Sequence, residues 1–249
     1  MTRSLSKLAL AAAAIGIGAL LAAPAAQATP FLEVLYSVNG SSLTPLCTDS
    51  ASSPSCTGSA TVGNITIDDA SASSDAPGNS LFAQELSAVT KITNDGSSNA
   101  TITLEIINDG FTSPITPPDL VLDSNIGGTV TNGSAANAVS FMSCVDQANS
   151  TGGCPATYNT APLKPDVTGL SNTSFDADDN TTVTSLTAPY GIDELIDFTI
   201  GGTTNPLLPT TINYSASTDL KAVPEPASLL LFGSGLIGLG MLRRQRRQA

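Results

Sequence analysis

The stretch KITNDGSSNATITLEIINDG, residues 91–110, carries the clearest structural signal in the chain. In its second half apolar and polar residues alternate, with Ala100, Ile102, Leu104 and Ile106 separated by Thr101, Thr103 and Glu105. A period of two is that of a β-strand with one buried face. Asn94-Asp95-Gly96 supplies residue types that favour a reversal of the chain. The stretch therefore predicts a β-hairpin.

Similar runs recur along the middle of the chain, separated by clusters of Asn, Gly, Pro and Ser. They are FLEVLYSV (31–38), GNITIDD (63–69), NTTVTSL (180–186), LIDFTIGG (195–202) and TINYSAS (211–217). This pattern is typical of an all-β fold, either an antiparallel β-sandwich or a jelly roll. Helix is expected only as a turn or two in NSLFAQELSAV (79–89) and YGIDELIDF (190–198).

The first 28 residues have the three parts of a secretory signal peptide. Arg3 and Lys7 precede an uncharged stretch, and the small residues Ala26 and Ala28 form an A-x-A cleavage site. Cleavage after Ala28 predicts an exported domain of residues 29–221. The alternative, a retained transmembrane helix, needs roughly 20 apolar residues without a cleavage site.

The predicted domain is strongly acidic. It holds all of the chain's acidic residues except Glu225 but only three lysines, which gives a net charge of −17. Such a surface repels phosphate backbones, so nucleic acid is excluded as a partner. The acids are spread from Glu33 to Asp219, among Asn-, Ser- and Gly-rich turns. We expect them to be mostly solvated and to form no dominant cluster.

The four cysteines form two close pairs in the sequence, Cys47 with Cys56 and Cys144 with Cys154. Four cysteines permit three connectivities. In an exported protein we expect the two local disulfides, because closing a short loop costs the least entropy. A zinc site is disfavoured, since the chain has no histidine and the cysteine spacings do not resemble C-x2-C.

Few catalytic arrangements are open to this sequence. The lack of histidine excludes Ser-His-Asp and Cys-His machinery, and no nucleotide-binding glycine motif is present. A pair of carboxylates can hydrolyse a glycoside, but tryptophan, the usual sugar-stacking residue, is absent. We therefore expect no catalytic residues, no enzymatic activity and no organic cofactor.

The segment SFDADDNTTVT (174–184) contains candidate ligands for a metal ion. Asp176, Asp178 and Asn180 stand at alternate positions, as in the opening of a calcium-binding loop. The match to an EF-hand then ends, because Thr187 stands where a bidentate glutamate is needed. A looser calcium site remains one interpretation, and an Asp- and Asn-rich turn between strands is the other.

The chain ends in VPEPASLLLFGSGLIGLGMLRRQRRQA, residues 223–249, which has three parts. They are the triplet Pro224, Glu225 and Pro226, the uncharged run 227–242, and the basic cluster Arg243, Arg244, Arg246 and Arg247. As a helix the run would extend about 24 Å, somewhat less than the hydrocarbon core of a bilayer. It predicts a single C-terminal transmembrane helix with the arginines on the cytoplasmic side.

In all three parts and in their order, residues 222–249 resemble the PEP-CTERM sorting signal of Gram-negative bacteria. The resemblance implies processing by an exosortase, a membrane-embedded cysteine protease, which removes the apolar run. It also implies export through the inner membrane, transient anchoring there, and a final location at the cell surface or outside the cell. Proteins of this kind occur in species that produce exopolysaccharide, which makes extracellular polysaccharide an expected partner.

Two classes of function remain open for residues 29–221. In the first, the domain is a non-catalytic component of the cell surface or of an exopolysaccharide or biofilm matrix. In the second, it is a calcium-dependent carbohydrate-binding module. A matrix component needs solubility, stability and anchoring, whereas a binding module needs a defined site.

Overall fold

The computed structural model describes residues 29–116, 118–150, 154, 158–168, 172–203, 205 and 207–223. This part of the chain contains eleven β-strands and no helix. The strands are β1 (Phe31–Val38), β2 (Thr44–Asp49), β3 (Ser55–Val62), β4 (Ile65–Ser74), β5 (Phe82–Asn94), β6 (Ala100–Phe111), β7 (Leu120–Thr131), β8 (Ala138–Asp146), β9 (Thr173–Val183), β10 (Tyr190–Ile200) and β11 (Thr210–Ala222). The predicted signal peptide and C-terminal helix lie outside these residues.

The strands form two antiparallel sheets. Sheet A has the order β2-β1-β6-β10-β8, and sheet B has the order β3-β4-β5-β11-β7-β9. Apolar side chains from both sheets pack together between them. The prediction of an all-β, antiparallel sandwich is therefore confirmed for the described part of the chain. No described helix is long and apolar enough to cross a membrane.

The hairpin predicted at 91–110 is wrong, although both of its strands exist. β5 belongs to sheet B and β6 to sheet A, so residues 95–99 cross from one sheet to the other. The buried Asn94 side chain fixes this crossing by donating hydrogen bonds to the carbonyl oxygens of Ser98 (2.9 Å) and Ile200 (3.1 Å). An apolar strand face can pack across a sandwich, so alternation alone does not identify the neighbouring strand.

The helical turns expected in 79–89 and 190–198 are also wrong, because these segments lie largely in β5 and β10. The inward-facing residues of β5 include Ala83, Glu85, Ser87 and Val89. Leu86 faces outward and is 41% exposed. The spacing of apolar residues was misleading here because a glutamate takes an interior position and a leucine an exterior one.

Four strands, β2, β3, β7 and β8, have no counterpart among the predicted ones. β3 and β7 contain glycine and several Ser, Thr or Asn residues, which are typical of turns. β7 nevertheless alternates buried and partly exposed positions along most of its length. Its place between β11 and β9 compensates for its poor strand propensity.

Both predicted disulfides are confirmed. Cys47 and Cys56 have Cα atoms 5.7 Å apart, and Cys144 and Cys154 have Cα atoms 5.5 Å apart. The first disulfide joins β2, an edge strand of sheet A, to β3, an edge strand of sheet B. It therefore closes one side of the sandwich covalently.

The two chain termini of the described domain leave from the same end of the sandwich, which we call the terminal end. At this end Phe31 pairs with Asp109 near the end of β6. Ala222, the last residue of β11, pairs with Leu120 there. β11 thus extends one residue beyond the predicted domain boundary at 221.

Candidate functional site

A polar layer crosses the interior between two apolar clusters, one around Leu104 and Phe198 and the other around Phe111 and Tyr190. We call it the carboxyl layer. It consists of Asn108, Ser143 and Glu194 from sheet A and Glu85, Ser87, Ser124 and Thr218 from sheet B. Strand register places Glu194 beside Ser143, and Thr218 between Glu85 and Ser124. All seven side chains are buried.

Glu194 is the hydrogen-bonded acid of the carboxyl layer. Its carboxyl group accepts hydrogen bonds from the hydroxyl of Ser87 at 2.5 Å and from the hydroxyl of Thr218 at 2.7 Å. These two bonds join sheet A to sheet B across the interior. Burial raises the pKa of Glu194 to about 7, although both hydroxyl groups oppose the shift.

Glu85 is the unpaired acid of the layer. Neither of its carboxyl oxygens has a hydrogen-bond partner in the described part of the chain, and neither does the side-chain amide of Asn108. Burial, followed by the negative charges of Glu194 and Asp193, raises the pKa of Glu85 well above its ordinary value. The nearby amide group of Asn108 opposes this shift only in part, since it makes no well-formed hydrogen bond to the carboxyl group. Burial and the neighbouring charges therefore favour the protonated form of the Glu85 carboxyl group.

A second acidic group lies on the opposite face of sheet A and consists of Glu105, Asp109, Asp146 and Asp193, all of them buried. Asp193 accepts a hydrogen bond from the backbone N–H of Asn108 at 3.2 Å, and its other oxygen has no partner among the described residues. Burial, then the charges of Asp109 and Asp146, raise the pKa of Asp193 well above its ordinary value. Burial and the charge of Asp146 raise the pKa of Asp109 to about 6.

The chain that follows β8 covers this second group. Asp146 accepts hydrogen bonds from the backbone N–H groups of Ala148 and Ser150, both at 2.8 Å. Asn149 then accepts a hydrogen bond from the N–H of Gly110 on β6, also at 2.8 Å. Asp193 and its neighbours are consequently removed from solvent even though they project from the outer face of the sheet.

The prediction that the acids are mostly solvated is therefore wrong for six of them: Glu85, Glu105, Asp109, Asp146, Asp193 and Glu194. The ion pairs found among the described residues involve only Lys91 and Lys221, with acids at the surface. The six buried acids thus have no basic partner in this part of the structure. For β10, the signal was present in the sequence, since Glu194 shares its alternate position with Ile192 and Ile196.

The shallow depressions of the described surface include three with volumes of about 300, 370 and 400 Å³. The first lies at the end opposite the terminal end, between Asn39, Asn64 and Asn99. The other two lie on the outer face of sheet B and are lined mainly by Ser, Thr, Ala and Gly. No carboxyl group lines any of the three, so the buried acids do not face them.

The candidate calcium ligands lie on β9, the edge strand of sheet B, so the alternative interpretation as a turn is wrong. Asp176, Asp178 and Asn180 are all exposed on one side of this strand. Alternate residues of a strand are about 7 Å apart in a line, whereas a calcium loop curls its oxygens around one point. In the described ranges, no group of three or more His, Cys, Asp or Glu residues is placed to hold a metal ion.

The signal-cleavage residues Ala26 and Ala28 and the tail residues 224–249 lie outside the described part of the chain. Only the attachment point of the tail is described. There the N–H of Val223 donates a hydrogen bond to the carbonyl oxygen of Asp119 at 2.9 Å. The chain therefore remains bound to the sandwich up to the residue that precedes Pro224.

The fold and the tail together have the architecture of an exported protein. A β-sandwich domain is followed directly by a C-terminal sorting segment. The family model described as the PEP-CTERM protein-sorting motif matches residues 222–247, so the chain carries a PEP-CTERM sorting motif at its C-terminal end. This motif implies sorting by an exosortase, with secretion and transient membrane anchoring. The prediction made from the tail is confirmed at the level of the motif.

Other comparisons add little. No curated protein matches the chain. A solved structure titled "Structure of infectious bursal disease virus Gx strain" aligns at 10% identity, covering 83% of this chain and 63% of that one, with a TM-score of 0.14. The alignment thus spans less than two thirds of the viral chain. A likeness this weak carries no argument about fold or function.

Proposed function

We propose that the protein is an exported, non-catalytic component of the cell surface or extracellular matrix, associated with exopolysaccharide or biofilm. The observation that carries the proposal is the position of the sorting motif, whose match begins at residue 222, where β11 ends. The sorting segment therefore follows the folded domain without a linker. At the other end, the predicted cleavage after Ala28 leaves two residues before β1 begins at Phe31.

In this proposal the tail acts first as an anchor and then as a processing site. The uncharged run 227–242 holds the precursor in the inner membrane, with the four terminal arginines on the cytoplasmic side. An exosortase-like enzyme then removes the run. The acidic sandwich is released or attached at the cell surface.

The distribution of acids supports a non-catalytic role. A catalytic carboxyl group needs a perturbed pKa and also access to a substrate. Here the acids with raised pKa values include Glu85, Asp193 and Glu194, which are at most 1% exposed. The open depressions hold hydroxyl and amide groups in place of carboxyl groups. Such groups suit weak, repeated hydrogen bonding to a polysaccharide.

Processing is tested by the intact mass of protein from the extracellular fraction, compared between a producing strain and one that lacks the exosortase. We expect a species that begins at Thr29 and ends near Pro226 in the first strain. In the second, we expect a membrane-bound species that retains residues 227–249. A matched variant, Glu225→Ala, should shift the first strain towards the second result. A stable wild-type product that keeps the arginines would refute processing and leave a permanent anchor.

The matrix role needs a separate test. Protein purified from the extracellular fraction should co-sediment with the producer's exopolysaccharide without releasing soluble sugar from it. Hydrolysis by the purified protein, abolished by a single Asp→Asn change, would replace the matrix role by a glycosidase. Absence of co-sedimentation would remove the polysaccharide from its partners.

A further inference from the structure

Exposed apolar side chains cluster at the terminal end of the sandwich, where the sorting tail begins. They are Leu81, Phe82, Ile115 and Val223, which are 69%, 41%, 44% and 39% exposed. We call this set the terminal patch. Its members come from the loop before β5, the start of β5, the loop between β6 and β7, and the residue that follows β11.

Backbone contacts hold the terminal patch together around the point where the tail leaves. The N–H of Ala222 donates to the carbonyl oxygen of Leu81 at 2.9 Å, which places the end of β11 beside this loop. The N–H of Val223 donates to Asp119 in the loop that also carries Ile115. Leu81 and Val223 are therefore fixed relative to each other by the folded domain.

The charges around the terminal patch do not favour an anionic partner. Lys221 lies opposite Phe82 in the sheet, but its ammonium group is already paired with Asp123 at 3.2 Å and with Asp219 at 3.1 Å. The neighbouring Asp119 is exposed. The patch can thus bind by burying apolar surface and not by attraction to phosphate.

The length of chain outside the described domain limits where the terminal patch can be. Only residues 224–226 separate Val223 from the uncharged run that begins at Ala227. Four peptide steps reach at most about 14 Å even when fully extended. When the run is in a bilayer, Val223 is necessarily within that distance of the start of the run, and the other patch residues lie at the same end of the sandwich.

We propose that, while the tail is anchored, the terminal patch lies in the interfacial region of the bilayer from which the tail emerges. The inference rests on the proposed anchoring and adds an orientation to it. The sandwich then stands on the membrane at its terminal end, with the Asn-rich opposite end pointing away. Four side chains bind a bilayer weakly, but the tether makes the contact intramolecular and keeps the local lipid concentration high.

A bilayer fits the terminal patch better than the surface of the processing enzyme does. None of the three depressions described above is lined by a patch residue. Its side chains project from three separate segments, as expected for contact with a fluid apolar layer. Lipid also surrounds every anchored chain, whether or not an enzyme is bound.

The absence of tryptophan from the chain allows a direct test. The full chain carrying Leu81→Trp is reconstituted in phosphatidylcholine vesicles with and without brominated acyl chains. The control is Leu207→Trp, at a leucine that is 87% exposed in the loop before β11. β11 has 13 residues, so Leu207 lies roughly 40 Å from the patch at 3.3 Å per residue. Leu236→Trp, in the uncharged run, reports insertion of the tail.

We expect brominated lipid to quench emission from the Leu81→Trp variant in part, to quench emission from Leu236→Trp more strongly, and to leave Leu207→Trp unchanged. Ile115→Trp should behave like Leu81→Trp and guards against a local folding defect. Quenching at position 236 without quenching at 81 and 115 would overturn the inference and leave the anchoring intact. No quenching at 236 would instead remove the anchoring and the inference with it. If emission from the Leu81→Trp variant changes only after the exosortase is added, the patch contacts the enzyme, and the proposed lipid contact is refuted.

Discussion

β9 and β10 are strands of equal length, each with three acidic residues, yet two acids of each strand have opposite environments. β9 is the edge strand of sheet B, and its Asp176 and Asp178 are exposed. β10 lies between β6 and β8 in sheet A, and its Asp193 and Glu194 are buried. Because the third acid of β10, Asp197, is exposed, the difference teaches that the position of a strand in its sheet, together with the place of a residue along that strand, decides whether an acid is solvated.

The largest expected effect concerns the buried acid of β10. Burial raises the pKa of Glu194 from 4.5 to about 7, so its folded form binds a proton more tightly than its unfolded form. The stability that Glu194 contributes is therefore fully present below about pH 4.5 and is lost as the pH rises through 7. At about 1.4 kcal/mol per unit, the wild type should lose about 3 kcal/mol from this group. Urea unfolding at pH 5 and pH 8 measures the loss.

The matched variant for this experiment is Glu194→Gln, which stays neutral at both pH values. Its side-chain amide can still hydrogen-bond to Ser87 and Thr218, because hydroxyl groups donate and accept. We expect a much smaller difference between pH 5 and pH 8 in this variant, and a still smaller one when Glu85→Gln is added. An equally steep pH dependence in wild type and double variant would assign the effect to other groups.

A smaller effect is expected for Asp109, which lies nearer the surface. Burial and the charge of Asp146 raise its pKa from 3.8 to about 6. The stability that Asp109 contributes is thus lost as the pH rises from about 4 to 6. Over this range the Asp109→Asn variant should lose about 1 kcal/mol less stability than the wild type, because solvent screens part of the effect. Thermal melting at pH 4 and pH 6.5 provides the measurement. Identical shifts in melting temperature for wild type and variant would contradict the assignment.

Surface ion pairs should contribute less than the buried acids. Lys221→Ala removes the contacts to Asp123 and Asp219, and we expect a cost below about 1 kcal/mol that shrinks in high salt. Lys91→Ala removes a single contact to Asp68 and serves as the comparison. A cost of several kcal/mol for Lys221 would show that charge at the surface of sheet B matters more than burial in sheet A.

The smallest effect is expected on β9. Because Asp176 and Asp178 are exposed on an edge strand, replacing both by Ala should change the free energy of unfolding by less than about 0.5 kcal/mol. Calorimetric titration of the wild type with calcium should give no saturable heat. Saturable binding that the double variant abolishes would favour the calcium-dependent carbohydrate-binding module over the matrix component.

Local patterns predicted much of this molecule. Alternation identified β1 with its exact bounds and both strands of the 91–110 stretch. Spacing and the export signals predicted the disulfides, and the tail predicted the sorting motif. Each of these features depends on residues that are close together in the sequence.

Long-range features were not accessible in the same way. β5 and β6 are consecutive but lie in different sheets, because pairing is decided by partners as distant as β11 and β1. The carboxyl layer was missed because residues from six strands form it. Period-two reading of β10 does place Glu194 on the apolar face, but only the second sheet provides the hydroxyl groups that make a buried acid tolerable there.

The last strand to leave the ribosome, β11, is a central strand of sheet B and lies between β5 and β7. In a chain exported N-terminus first, β5 and β7 cross the membrane earlier and wait with unpaired edges. Sheet B closes only once Ala222 has crossed, and the uncharged run begins five residues later. If the tail anchors the chain as proposed, completion of sheet B and arrest in the membrane coincide within a few residues of translocation. The tail then holds the chain at the export site at the moment when its final strand inserts.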